Sequence, residues 1–377
     1  MKFIVSRDIL YKNLSAISGV LGTNSTLPIL DNFLFTVEGD MLTLTASDLD
    51  ATMTATVQLT HVEGEGSVAI PSKTILETLK LMSSEIPVDF DIDIENQTLK
   101  FSTENGEYDS SCFPGEEYPA MKTMEEPQSF EMEAAVLHRA ISKTLFATGN
   151  DELRPNMMGV LCELSAENIT FVATDAHKLV RYTNNSVKVD DNASFILPKK
   201  PITQLKTILA GVNEKVKVEY TANTHHIRFT VANIVLFSSL KEGKFPAYQA
   251  VIPQENPNKF IVDRKDFHKS ICRVGIYSNQ STFQVRISLS DEKTVITAED
   301  LDFSNKAEEQ IKGSYEGETM DIGFNSKFLR EMLENLDSET IALEMSQPNR
   351  AALLIPAEQD SPEEDLLMLI MPVMLNY

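Results

Sequence analysis

The chain has 377 residues and a formal charge of −23, with 42% hydrophobic and 24% charged residues and three cysteines. Three widely spaced thiols (Cys112, Cys162, Cys272) make neither a disulfide framework nor a zinc site, and no apolar run nears the ~20 residues that span a membrane. So acidic a chain argues at first sight against a nucleic-acid partner.

Met1-Lys-Phe-Ile-Val-Ser-Arg7 reads as a strand running into an amphipathic helix, so a cytoplasmic protein with no signal peptide is expected. The helix spans 7–17. The segments 32–37, 41–46 and 51–57 then alternate as an antiparallel meander, and a second helix over 72–82 is followed by alternating segments 88–94, 97–101 and 107–112. These make two β-α-β-β-β halves, whose helices can bury their apolar stripes against one face of joined antiparallel sheets.

The same text returns twice. Apolar Phe3, Val5, Leu10 and Leu14 with basic Lys12 are matched by Phe130, Met132, Leu137, Ile141 and Arg139, and by Phe260, Val262, Phe267, Ile271 and Lys269. Later landmarks keep their order: Asp48-Leu-Asp50, Asp175-Ala-His177 and Asp300-Leu-Asp302, then Pro71-Ser-Lys73, Pro198-Lys-Lys200 and Asn325-Ser-Lys327. Pro-containing polar stretches break the pattern just before each return. Three domains are therefore expected, 1–125, 126–253 and 254–377, each of ordinary single-core size.

Charge is not spread evenly over these elements. The six predicted helices (7–17, 72–82, 134–147, 199–210, 264–275 and 325–336) carry +10 over 72 residues, which leaves −33 for the rest. Lys12, Lys73, Lys80, Arg139, Lys143, Lys199, Lys200, Lys206, Lys269 and Arg273 lie on or beside their polar stripes. One such stripe is ordinary helix solvation; segregation over several helices at matching positions points to a phosphate-facing surface. No base-reading module is visible, so the contact would be indifferent to sequence and weakened by salt.

An enzyme and a protein scaffold without DNA are the competing classes. Asp48 with Asp50 and Asp300 with Asp302 could pair as catalytic or metal-binding carboxylates, but Asp175 and His177 replace them in the middle copy and further ligands are missing, so turn carboxylates are expected. His225-His226 falls in a strand turn without partners, and Cys162 and Cys272 sit in apolar runs. Neither a phosphate-binding glycine loop nor a nucleophile elbow is present.

The triplication, Thr26-Leu-Pro-Ile-Leu30, Val172-Ala-Thr-Asp-Ala-His-Lys-Leu179, Lys244-Phe-Pro-Ala-Tyr248 and Ile370-Met-Pro-Val-Met-Leu375 together resemble the beta subunits of bacterial DNA polymerase III, the sliding clamps, over essentially the whole chain. The resemblance implies an α+β DNA-clamp fold and a head-to-tail homodimer, six domains in a ring lined by twelve helices, with antiparallel sheets outside. It implies double-stranded DNA, a clamp loader, the replicative polymerase alpha subunit and other clamp-binding-motif proteins as partners, with no cofactor, metal, catalytic site or membrane.

Carried over residue by residue, a pocket for a short extended peptide holding a Gln and a few apolar residues would use Met157, Thr174, Ala176, His177, Lys178 and Leu179 from the middle domain. Pro246, Val251, Leu369 and Met371 would complete it, with Pro372 and Val373 alongside. Tyr108 of one copy would pack near Ile276 and Tyr277 of the other, joining unpaired sheet edges expected near 97–112 and 282–289. Departures are Ala176 where many relatives have Gly, Lys178 where they have Arg, Asn24 where a relative carries a DNA-contacting Arg, and the acidic loop Asn150-Asp-Glu152. The terminal Asn376-Tyr377 has no assigned role.

Overall fold

Arg7–Ser18 (α1), Ser72–Leu81 (α2), Ala134–Thr144 (α3), Lys199–Leu209 (α4), Arg264–Gly275 (α5) and Ser326–Glu334 (α6) are the helices of the computed structural model, which describes residues 1–22, 27–221, 225–358 and 361–375. The third helix stops short of 147. The Thr144 hydroxyl bonds back to the Ala140 carbonyl at 2.7 Å, and its φ of −116° lets the chain tighten into a 3-10 turn over Leu145–Ala147. Asn325, standing where the earlier copies have Pro71 and Pro198, earns its place as the N-cap of α6 by accepting from the Lys327 and Phe328 amides.

The β-α-β-β-β half recurs six times. In the first it is Lys2–Ser6, α1, Asn32–Glu38, Met41–Ser47 and Ala51–Gln58; in the second, Gly66–Pro71, α2, Pro87–Asp93, Thr98–Thr103 and Gly106–Ser111. Leu10, Leu14 and Ile17 of α1 and Phe267, Ile271 and Val274 of α5 are fully buried, each gaining roughly 1.5–3 kcal/mol by leaving water. Arg at the fifth place of the first and third copies, where the middle copy has Ala134, ties the two helices of its domain together. Arg7 donates to the Leu79 and Lys80 carbonyls, and Arg264 to those of Ser338 and Leu333, satisfying the open C-terminal ends of α2 and α6.

Sheet pairing does not respect the repeats, and the chain forms two compact units, residues 1–138 with 200–240 and residues 139–199 with 241–377. In the first, Ala51–Gln58 pairs antiparallel with Ile234–Ser239, the last strand of the middle repeat, within a nine-stranded sheet. In the second, Lys178–Asn184 pairs in the same way with Glu364–Ile370, the last strand of the third repeat, within another nine-stranded sheet. The fourth strand of a repeat thus joins the final strand of the next.

Two smaller sheets complete the units. Gly106–Ser111 forms one edge of the five-stranded sheet, as expected. The second expected edge is elsewhere: Gln284–Leu289 lies between Thr294–Asp300 and Met320–Asn325, paired on both sides, and the edge strands of this sheet are Asn305–Ile311 and, on the other side, Met320–Asn325. The meander folds outward from its first strand, so the fourth strand of the half, not the second, is left at the rim. No helix is long and apolar enough to cross a membrane among the described residues.

Candidate functional site

The Asp175 turn is built by its own side chains. Thr174 ends strand Ile169–Thr174, its hydroxyl donating to the Lys178 carbonyl at 2.8 Å and accepting from the Ala176 amide, while Asp175 Oδ1 accepts from the amides of His177 and Lys178. The tight return forces Ala176 to φ +76°, a left-handed conformation that a methyl group disfavours. Lys178–Asn184 then leaves the turn with Leu179 opposite Leu369, and the Met371 amide donates to the His177 carbonyl at 2.9 Å, extending the ladder one step past Ile370.

Beneath this ladder lies an apolar floor. Leu179 and Leu369 are buried with Leu161, Val172, Phe245, Tyr248 and Leu353. Met371, two residues after Leu369, is 40% exposed, and Val251, three residues after Tyr248, is 55% exposed. Val251 stands there because the 3-10 turn Tyr248–Val251 is pinned at its start: the Tyr248 amide donates to the Pro246 carbonyl and its hydroxyl to Glu163, both at 2.7 Å. Met157 and Asp175 flank Gly149, whose amide donates to the Met157 carbonyl at 2.8 Å. Val373 turns instead to strand Met320–Asn325, its amide on the Gly323 carbonyl. An apolar floor with exposed apolar lips and a few backbone polar groups is the composition of a site for a small apolar ligand or peptide.

Lys178 does not face this floor. Its ammonium pairs with Asp175 at 2.8 Å and Glu331 at 3.0 Å and sits 4.6 Å from the centroid of the Phe328 ring. His177 stacks on the same ring at 5.7 Å and 20°. Phe328 and Glu331 were not anticipated, because a half-buried aromatic and a Glu on α6 read as ordinary amphipathic positions.

The ten basic side chains fall into two groups. Lys12, Lys73, Lys80 and Lys269 are exposed and have no ion-pair partner among the described residues, and Lys206 is half-exposed. The other five are held. Lys200 meets Asp48 at 2.6 Å and the Val20 carbonyl, Lys199 meets Asn150, and Arg273 forks onto Glu309 at 2.8 and 2.7 Å. Arg139 bridges Glu364 and Asp337, and buried Lys143 meets Asp337 and the Asn335 carbonyl. Burial pulls the Lys143 ammonium below the ordinary lysine range despite Asp337 beside it.

The carboxylate pairs are turn caps. Asp48 Oδ1 accepts from the Asp50 and Ala51 amides, Asp300 Oδ1 from that of Asp302. Among the described residues no three His, Cys, Asp or Glu side chains converge as metal ligands. Cys112 and Cys162 are buried and Cys272 half-buried, and burial raises all three thiols above their usual range. His226 stacks on Phe237, and burial lowers its pKa. In the acidic loop Asp151 caps the Leu153 amide and lies 3.7 Å from Arg154. Asn24, Thr26, most of the turn before His225 and Asn376-Tyr377 lie outside the described residues. Tyr108, Ile276 and Tyr277 are all exposed.

Residues 1–122, 131–247 and 249–373 match the family models of the DNA polymerase III beta subunit N-terminal, central and C-terminal domains. The chain is 31% identical over 346 residues to the beta sliding clamp of Proteus mirabilis, covering 91% of this chain and 92% of that one. It is 29% identical over 376 residues to that of Pseudomonas putida, end to end on both. The crystal structure of the DNA polymerase III subunit beta from Pseudomonas aeruginosa superposes with a TM-score of 0.93 at 28% identity, covering both chains fully. The fold is shared with the beta subunit from Thermotoga maritima, TM-score 0.91 at 23% identity, again over both chains fully.

Proposed function

The chain belongs to the DNA polymerase III beta subunit family, and from that premise we propose how it works as a cytoplasmic sliding clamp: a closed homodimer around double-stranded DNA, placed there by a clamp loader. Its function is polymerase processivity, and it is not an enzyme. Each copy contributes three domains, 1–125, 126–253 and 254–377, each with two of the six helices.

The pairing of the repeats carries the dimer. In two places the fourth strand of one repeat is completed by the last strand of the next, Ala51–Gln58 by Ile234–Ser239 and Lys178–Asn184 by Glu364–Ile370. The series leaves over Asn305–Ile311 of the third repeat and Gly106–Ser111 of the first, both edge strands. A second copy supplies each with the missing neighbour, head to tail, and two such joints close the assembly and remove both edges. Exposed Tyr108 lies on the first edge strand and exposed Ile276 and Tyr277 just past α5, which supports their burial at this joint.

DNA is held by the exposed lysines of α1, α2 and α5 together with Lys206, through phosphates and without reading bases. Lys200, Lys199, Arg139, Lys143 and Arg273 shape the electrostatic field while remaining tied to their acceptors. The apolar floor beneath Leu179 and Leu369 takes the polymerase alpha subunit and other partners by an extended apolar peptide with a Gln. Light scattering at micromolar concentration and retention on nicked circular DNA test the reading together. A dimer that stays on circles and runs off linear ends is expected; a monomer, or equal escape from both, would refute it.

A further inference from the structure

The turn that rims the peptide socket is fastened to a helix that the socket does not contain. Side chains alternate along a strand, so while Leu179 points to the apolar floor, its neighbour Lys178 points to the opposite side, toward α6. There its ammonium, on a side chain only 6% exposed, meets both the Asp175 carboxylate of its own turn and Glu331 of α6, with the Phe328 ring as a third partner. His177 stacks on that ring too, and its carbonyl receives the Met371 amide at the socket lip. One aromatic side chain of α6 thus holds two consecutive rim residues, and Met371 hangs from the first.

A cation so placed has little left to offer a ligand. Turning it toward the socket would strip two carboxylates of their counter-charge, a cost that a flexible surface lysine does not face. What it can do is fix the turn. Ala176 sits at φ +76°, which a non-glycine residue holds only where its surroundings impose it, and the Lys178 bridge supplies that constraint beside the Asp175 Oδ1 bonds. We propose that Lys178 is a positioning residue of the partner socket, acting through Phe328 and Glu331 of α6 to hold His177 and Met371 in the peptide-accepting geometry. The proposal rests on the socket reading and adds the means by which the socket is kept open.

Positioning and direct contact differ in kinetics. Losing a peptide contact speeds dissociation, whereas losing pre-organisation reduces the fraction of molecules ready to bind and so slows apparent association. The test uses the full-length protein and a labelled Gln-Leu-Ser-Leu-Phe peptide in stopped flow, with Lys178→Met, which keeps the stem but not the charge, Lys178→Arg and Met371→Ala. Lys178→Met is expected to cut the association rate about ten-fold, leaving dissociation within about two-fold of wild type. Lys178→Arg, which retains the cation and its ring contact, restores the rate, and Met371→Ala speeds dissociation instead.

Amide hydrogen exchange of His177 and Lys178 in the free protein gives a second readout. It is expected to quicken in Lys178→Met and not in Met371→Ala. Faster peptide release from Lys178→Met with unchanged exchange would make Lys178 a direct contact and overturn the proposal. A wild-type protein that ignores the peptide would sink the socket reading itself, and the exchange rates would still decide whether Lys178 fixes the turn.

Discussion

Met371 follows Leu369 by two residues, just beyond strand Glu364–Ile370, and the two differ in what they hold. Leu369 is buried opposite Leu179 and belongs to the core, whereas Met371 reaches past the end of the ladder with its side chain 40% exposed at the lip. Truncating Met371 should therefore leave folding and assembly intact and cost peptide affinity on the order of 1–3 kcal/mol, the usual range for a central apolar contact. Titration of the labelled peptide against wild type and Met371→Ala checks this, and equal affinities would place the partner site elsewhere. Ala176→Gly makes the opposite expectation. Removing a methyl held at φ +76° relieves local strain on the order of 1 kcal/mol, so urea unfolding should report slightly higher stability. At this scale the sequence was legible in the Asp175 turn and the terminal strand, and Leu179 stands opposite Leu369 in register, while Lys178 and Val373, named with them, turn away to Glu331 and Gly323. It was a poor guide to which charges are free: Lys143 finds Asn335 and Asp337 from the far end of the chain, and Lys178 finds Glu331. Helical spacing shows where a lysine starts and nothing of the acceptor that folding brings to it.

The six helices and the meanders were legible because each is periodic and each is written three times, so a weak signal in one copy is supported by the others. Element order in the sheets was less so. Gln284–Leu289 carries the alternating pattern expected of an edge or an interior strand alike, and only the pairing of Met320–Asn325 on its other side decides between them. A charge arrangement between two strands gives a sharper test of the paired structure. Glu219 on Lys215–Tyr220 faces Arg228 across the register, accepting from its Nε at 2.7 Å and lying 2.9 Å from Lys217. The hydrogen bond from Arg228 leads the effects that hold its pKa down to about 2, against an ordinary 4.5. A carboxylate depressed in the folded state stabilises it above the unfolded pKa and loses that contribution as pH falls through the folded one. The window is therefore pH 4.5 down to 2. The full shift corresponds to about 3 kcal/mol, an upper bound because the two cations are partly exposed and screened. Denaturant midpoints of wild type should fall across this window, and those of Glu219→Gln should start lower and fall less. Parallel curves for the two proteins would show that the pair contributes nothing to acid stability.

For the whole molecule the decisive quantity is the free energy of joining two edges that the repeat leaves open. In the proposed dimer Gly106–Ser111 and Asn305–Ile311 would exchange main-chain hydrogen bonds antiparallel, as their counterparts do within each unit, and exposed Tyr108, Ile276 and Tyr277 would bring apolar surface to the same joint. A strand pairing alone is indifferent to the side chains that flank it; apolar burial is not. Ile276 is 71% exposed in the single chain, so an aspartate there costs the isolated fold little, yet the same carboxylate buried at a joint would be dehydrated without a partner. Ile276→Asp is accordingly expected to yield a folded monomer, with the wild-type circular dichroism spectrum but half the scattering mass at micromolar concentration. Because retention on a circle depends on closure and not on phosphate affinity, the same variant should leave nicked circles as fast as it leaves linear DNA, even at salt low enough for its lysines to bind phosphates strongly. A variant that remains dimeric, or a monomer that stays on circles, would break the link between the open edges and the hold on DNA.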